Sequence, residues 1–258
     1  MPPSLALEET RATPGISPVF VGRDREIASL RAALDTADAG RTTAVVVAGE
    51  SGIGKTRLVT HFAGLAAGRG ATVMTGRCPG PVDAGPPYWP FLDAFRRLLA
   101  RLGSEQVDEL LSPFRAEVTP LLTAGMPNAE WVPRRWGRAR FFELVLGVAE
   151  RLAARSTVAL VIEDLHWADQ STRDLLGFLL ANIEDRILVV GTYRDDGLTP
   201  DHPLLPLLAQ LRRRRVAFLD LAPFDGAELE ALVRGILGTD PDPELVAGVQ
   251  ARSDGNPF

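Results

Sequence analysis

All but one of the 28 basic residues in this chain are arginine, and the single lysine, Lys55, stands in Gly49-Glu50-Ser51-Gly52-Ile53-Gly54-Lys55-Thr56. The chain uses a guanidinium wherever a generic positive charge will serve, and spends its one compact ammonium here. Glycines at this spacing let the backbone curl so that successive N–H groups point inward, a cradle for phosphate oxygens. The backbone of Gly49, Ser51, Gly52, Ile53 and Gly54 supplies that cradle, and the helix that follows adds the positive end of its dipole. Lys55 then reaches the β- and γ-phosphates as a point charge, and the Thr56 hydroxyl ligates Mg²⁺. Arg57, next in line, is counted among the nucleotide-binding residues. The expected ligand is ATP or ADP with Mg²⁺.

A second set of groups comes from Leu160-Val161-Ile162-Glu163-Asp164, an apolar run that ends in two carboxylates. In an open parallel sheet, ligands lie beyond the carboxyl ends of the strands, and carboxylates buried there need a cation or a proton. By position, Glu163 is expected to hold Mg²⁺ through water and Asp164 to polarise the attacking water. Ile187-Leu188-Val189-Val190-Gly191-Thr192-Tyr193-Arg194 runs toward the same edge, which would aim Arg194 at the γ-phosphate.

These groups need a frame. Ala44–Ala48 and Val158–Ile162 read as buried strands, Ala71–Thr75 is a strand candidate, and Ile187–Val190 and Val216–Leu219 read as a fourth and a fifth strand. Helical periodicity fits Asp24–Asp35, Thr56–Ala67, Phe91–Leu102, Arg138–Ala154 (Phe142, Val145, Val148 and Leu152 inward) and Gln170–Leu180. Residues 103–136 are poorly patterned and read as short helices. The alternation predicts an α/β fold, a P-loop NTPase with a parallel sheet flanked by helices. From Ala222 only helices follow: Asp225-Gly226-Ala227-Glu228 opens one through Leu237, and Asp242-Pro243 opens another ending near Ala251. The expected organisation is a disordered segment at 1–19, a P-loop ATPase domain at 20–221, and a truncated helical domain at 222–258. In the last, Leu232, Val233, Leu237, Leu245, Val246 and Val249 are expected to keep a partly exposed face.

Other classes recede. One cysteine, Cys78, allows no internal disulfide and reads as a small core residue; His61, His166 and His202 lack metal-ligand spacing. The formal net charge of −5 argues against direct DNA binding by this chain. No apolar run approaches a membrane span or a signal core, so the expected location is cytoplasmic. The arginine run Arg212–Arg215 and the set Arg134, Arg135, Arg138 and Arg140 read as solvated faces, and His166 and Trp167 as packing behind their strand.

Together these residues resemble the STAND class of P-loop ATPases, in particular the ATPase domain of large ATP-binding LuxR-type transcriptional regulators, also carried by adenylate cyclase and kinase fusions. The likeness runs through Phe20-Val21-Gly22-Arg23-Asp24-Arg25-Glu26, Gly49 to Leu58, Pro87-Tyr88-Trp89-Pro90-Phe91, Glu163-Asp164-Leu165-His166-Trp167-Ala168-Asp169, Gly191-Thr192-Tyr193-Arg194 and Gly255-Asn256-Pro257. It implies that Val21 and Gly22 lie near adenine, that Pro257 touches the base, and that Arg194 is the sensor of the γ-phosphate. It also implies a switch, closed with ADP and open with ATP, capable of nucleotide-dependent self-association. The acids stand as Glu then Asp, where fast P-loop ATPases place Asp then Glu, so hydrolysis is expected to be slow. The downstream effector domains of the regulators, ending in a DNA-binding helix-turn-helix, are missing from this chain. Rival readings are an accessory ATPase segment of a signalling enzyme such as an adenylate cyclase, or a small-molecule kinase.

Overall fold

The strands form where the sequence is apolar without interruption. A computed structural model describes residues 19–82, 85–112, 131–214 and 216–257, with 131–136 described by backbone alone. Strands β1 (Thr43–Ala48), β2 (Thr72–Arg77), β3 (Val158–Glu163), β4 (Ile187–Thr192) and β5 (Ala217–Asp220) make one sheet in the order β2-β3-β4-β1-β5. Every neighbouring pair is parallel. The three central strands are almost wholly buried, whereas edge strand β2 is mostly half-buried and β5 is exposed at both ends. A parallel sheet needs cover on both faces, which is why its central strands carry no polar alternation.

Helices α1 (Asp24–Asp38), α2 (Lys55–Gly68), α3 (Trp89–Leu99), α4 (Ser104–Leu111), α5 (Trp131–Ala153), α6 (Gln170–Asn182) and α7 (Leu205–Arg213) supply that cover. Alternate strand residues Val46, Leu160, Ile162 and Val189 join one apolar cluster with Phe91, Phe141, Leu176 and Leu208 from the helices. Tyr88 sits inside it, its ring 4.6 Å from that of Phe141. The start of α3 lies so close to β2 that a Cβ on Gly76 would come 1.9 Å from the Pro90 carbonyl oxygen. Cys78 is buried, as expected of a core residue.

Several boundaries differ from the sequence reading. Helix α1 runs three residues further because Ala37 is still buried against the body of the domain. Helix α5 is broken at Gly137, at φ 71° and ψ 156°, so that its second stretch begins at Arg138 as expected and a further helical stretch from Trp131 precedes it. Strand β2 extends two residues past Thr75 because its register with β3 continues to Arg77↔Glu163. Of the stretch read as short helices, α4 is one, and residues 113–130 lie outside the described residues.

The chain divides into two compact units, one Arg23–Ala222 and the other joining Met1–Gly22 to Pro223–Phe258. In the second, helices α8 (Gly226–Leu237) and α9 (Pro243–Ser253) follow caps at Asp225 and Asp242. Leu232 and Val233 are buried rather than partly exposed. Residues 19–21 explain this correction. A Cβ on Gly235 would come 2.0 Å from Val19 Cγ2, and Val21 packs on the cluster of Phe224, Leu229 and Leu232. Leu237 and Leu245 do remain half-exposed, at 50% and 46%. Of the segment expected to be disordered, only Val19 falls within the described residues. Among the described residues no helix is long and apolar enough to cross a membrane.

Candidate functional site

Strand β1 ends at Ala48, and its carbonyl accepts from the Leu221 N–H, so the turn that follows starts from a fixed edge. Gly52 and Gly54 take φ of 80° and 101°, left-handed conformations that a Cβ would strain, and helix α2 begins directly behind them. Ile53 is buried and anchors the loop. Lys55 is 7% exposed, and its ammonium donates to the Gly49 and Glu50 carbonyls at 2.6 and 2.7 Å. Burial pushes its pKa below the ordinary lysine value; Asp195, Asp196 and Asp164 pull it back up, and Arg194 opposes them.

Sheet order decides which groups meet here. Strand β4 lies between β1 and β3, so the phosphate loop, the Glu163-Asp164 pair and Arg194 leave one sheet edge from neighbouring strands. The Thr56 hydroxyl hydrogen-bonds the Glu163 carboxylate. Glu163 is 7% exposed, and its Oε2 is buried with no partner among the described residues. Burial raises the pKa of this carboxyl; the Thr56 bond and the charge of Arg77 act against that, and Asp164 adds to it. A buried, orphaned carboxylate oxygen beside a hydroxyl is a donor set that suits a hard divalent cation.

Asp164 turns out of the strand in a left-handed conformation, φ 59° and ψ 45°. Its N–H donates to Thr192 Oγ1 at 3.0 Å, a buried hydroxyl at the end of β4. Its carboxylate Oδ2 accepts from Arg77 Nε at 2.6 Å. His166 Nδ1 accepts from the Arg194 N–H at 3.3 Å. Burial, with Arg194 and Lys55 adding to it against the pull of Asp164, drives His166 down to about 4, so the ring is neutral at physiological pH. Trp167 is 43% exposed and does not pack behind the strand as expected; the short 3-10 turn Leu165–Trp167 carries it outward.

Arg194 makes a side-on bidentate pair with Asp196, Nε to Oδ1 at 3.0 Å and Nη2 to Oδ2 at 2.8 Å. The Ser51 N–H of the phosphate loop donates to the same carboxylate. The Arg194 bonds, with the charge of the guanidinium and the Ser51 N–H, hold the Asp196 carboxyl below the usual range against slight burial. Arg57 is half-buried on α2. Val21, Gly22 and Pro257 belong to the other unit, where a Cβ on Gly22 would come 2.3 Å from Glu228 Oε1. Gly255, just before Pro257, accepts from the Phe224 N–H at 2.8 Å. Of the two arginine sets read as solvated faces, Arg138, Arg140, Arg212, Arg213 and Arg214 are exposed. Arg138 pairs with Asp174 and lies over the Phe142 ring, and Arg212 lies over that of Phe218. Arg215 and the side chains of Arg134 and Arg135 lie outside the described residues.

Three participants carried no local signal. Arg77 lay beyond the predicted end of its strand, and Asp196 followed Arg194 in an ordinary polar turn. Arg23, quoted above within a longer string, is 8% exposed and donates to the Ala222 carbonyl at 2.7 Å and the Ile53 carbonyl at 3.2 Å. It braces the phosphate loop from behind. Arg23→Ala leaves two carbonyls short of a donor, at a cost of about 1–3 kcal/mol. The melting temperature should fall by at least about 2 °C; an unchanged melting curve would show that these bonds add no stability.

Residues 19–190 match the family model of the AAA ATPase domain, well over half of the chain. This chain belongs to the AAA ATPase domain family. Solved structures similar to this AAA ATPase domain include the Aeropyrum pernix ORC2 protein in ADPNP-ADP complexes, with TM-score 0.52, 16% identity, and 86% of this chain covered. Cdc6p from Pyrobaculum aerophilum matches with TM-score 0.52 at 14% identity over 90% of the chain. Drosophila ORC bound to DNA matches with TM-score 0.56 at 15% identity over 100%. This chain spans 53%, 54% and 61% of their respective lengths. At such identities the likeness shows a shared fold, the α/β P-loop type. No curated protein matches the chain significantly.

Proposed function

We propose that this AAA ATPase domain is an ATP-binding regulatory switch with slow Mg²⁺-dependent hydrolysis, of the kind found in STAND-class, LuxR-type transcriptional regulators. The observation that carries the reading is the Thr56–Glu163 hydrogen bond with its orphaned Oε2, one residue from the buried lysine of the loop. Thr56 and Glu163 would hold Mg²⁺, which when bound neutralises phosphate charge. Lys55 leaves its two carbonyls for the β- and γ-phosphates, and the N–H groups of residues 51–56 take the remaining oxygens. Asp164 would take a proton from water; its Oδ2 accepts from Arg77, and Oδ1 would serve for that task. An aspartate one methylene shorter than glutamate, tied to an arginine, favours slow turnover and so a long-lived ATP state. The resemblance assigns adenine contacts to Val21, Gly22 and Pro257. Regulation of transcription is the first reading; a cyclase-associated role shares the E-D-L-H-W-A-D and G-N-P strings, and effector sequence outside this chain would separate the two. With net charge −5 the chain itself should not bind duplex DNA, and a cytoplasmic location follows from such a role.

The test uses the single lysine. Amine-reactive reagent should label only Lys55 and the α-amine, the latter serving as internal reference. Saturating Mg²⁺–ATP should slow labelling of Lys55 by at least about tenfold, since bound phosphates shield the group and hold it as ammonium rather than as the free amine that reacts. Equal labelling with and without Mg²⁺–ATP overturns the assignment.

A further inference from the structure

Asp196 has no role in the reading above, yet it holds two of that reading's phosphate ligands. Its carboxylate takes both forks of Arg194, at 3.0 and 2.8 Å, and accepts the Ser51 N–H of the phosphate loop. A guanidinium grips carboxylate and phosphate with the same planar pair of donors, and a loop N–H serves either anion. Asp196 therefore offers Arg194 and Ser51 the kind of partner that a terminal phosphate would offer. Its segment starts from rigid ground: Thr192 and Tyr193 just before it are 1% and 4% exposed. We infer that Asp196 is a specificity-determining residue, an internal anion that competes with the terminal phosphate for Arg194 and the Ser51 N–H and so sets the preference between triphosphate and diphosphate.

The inference rests on the proposed nucleotide site and on Arg194 as its γ-phosphate ligand. Triphosphate must break the Arg194–Asp196 pair and push one carboxylate aside. Diphosphate, which does not reach Arg194, leaves the pair closed. The pair is partly exposed, 38% for Arg194 and 31% for Asp196, so its strength is modest. Removing the charge should therefore raise triphosphate affinity by about two- to fivefold. Without Asp196 the switch would move toward its triphosphate state at lower nucleotide concentration.

Asp196→Asn, nearly isosteric, and Asp196→Ala should be titrated with ADP and with the imidodiphosphate analogue of ATP, both at fixed Mg²⁺. Both variants should bind the triphosphate analogue more tightly by the stated factor and ADP unchanged. In an Arg194→Ala background the gain should shrink by half or more, which a merely structural turn residue would not produce. The inference is overturned if neither variant gains affinity, if ADP gains equally, or if the gain is undiminished without Arg194. Failure of the underlying reading looks different: the wild-type chain would then bind neither nucleotide, and that result sinks both.

Discussion

Lys55→Ala should lose at least about tenfold in affinity for Mg²⁺–ATP, and its hydrolysis should fall with it, because the one ammonium facing two phosphates is gone. The fold should not suffer. In the folded chain burial holds the lysine's pKa below its ordinary value. A base with a lowered folded-state pKa binds fewer protons folded than unfolded, so stability rises as pH climbs from the folded to the unfolded value. Below the folded-state pKa the buried charge is a full cost, offset by the bonds to the Gly49 and Glu50 carbonyls. Removing charge and bonds together should keep the melting temperature within about 3 °C of wild type. Nucleotide titration and calorimetry on the same sample decide the matter. Retained affinity removes Lys55 from the site, and a collapsed melting transition makes its role structural.

The frame was legible because parallel strands covered on both faces must be apolar throughout, and only β1, β3 and β4 meet that demand in full. Glycines beside a lysine at fixed spacing marked the loop for a similar reason: backbone curvature and a point charge leave few choices of residue. Edge strand β2 was less clear, since it is half-covered and needs no continuous apolar run, whereas β5 lies within one residue of its expected span. Sheet order was not legible at all. Nothing local in Ile187–Thr192 says that it inserts between β1 and β3, yet that insertion brings Thr192 to the Asp164 N–H and Arg194 to the phosphate loop. Arg77, Arg23 and Asp196 escaped because a charged residue after a strand or turn reads as solvated until its partner is known. The burial of Leu232 and Val233 depended on residues 19–21, some two hundred positions earlier, folding onto α8, and no local periodicity encodes that.

Asp164→Asn should leave nucleotide affinity within a few-fold of wild type while hydrolysis drops by about two orders of magnitude, the usual share of a positioned general base. The substitution is unusually clean. Asp164 sits at φ 59°, a conformation asparagine adopts at least as readily as aspartate. The bond from its N–H to Thr192 Oγ1 is indifferent to the side chain, and an amide oxygen can still accept from Arg77. Only the capacity to take a proton is lost. Glu163→Gln gives the contrasting arm. There the buried, partnerless Oε2 is replaced by an amide that cannot serve a cation as a charge, so ATP binding should become far less dependent on Mg²⁺. Single-turnover hydrolysis and Mg²⁺ titrations of both variants separate the two carboxylates. If Asp164→Asn hydrolyses ATP at the wild-type rate while Glu163→Gln does not, the proton goes to Glu163. The Arg77–Asp164 pair would then be a brace for the strand end rather than part of the chemistry.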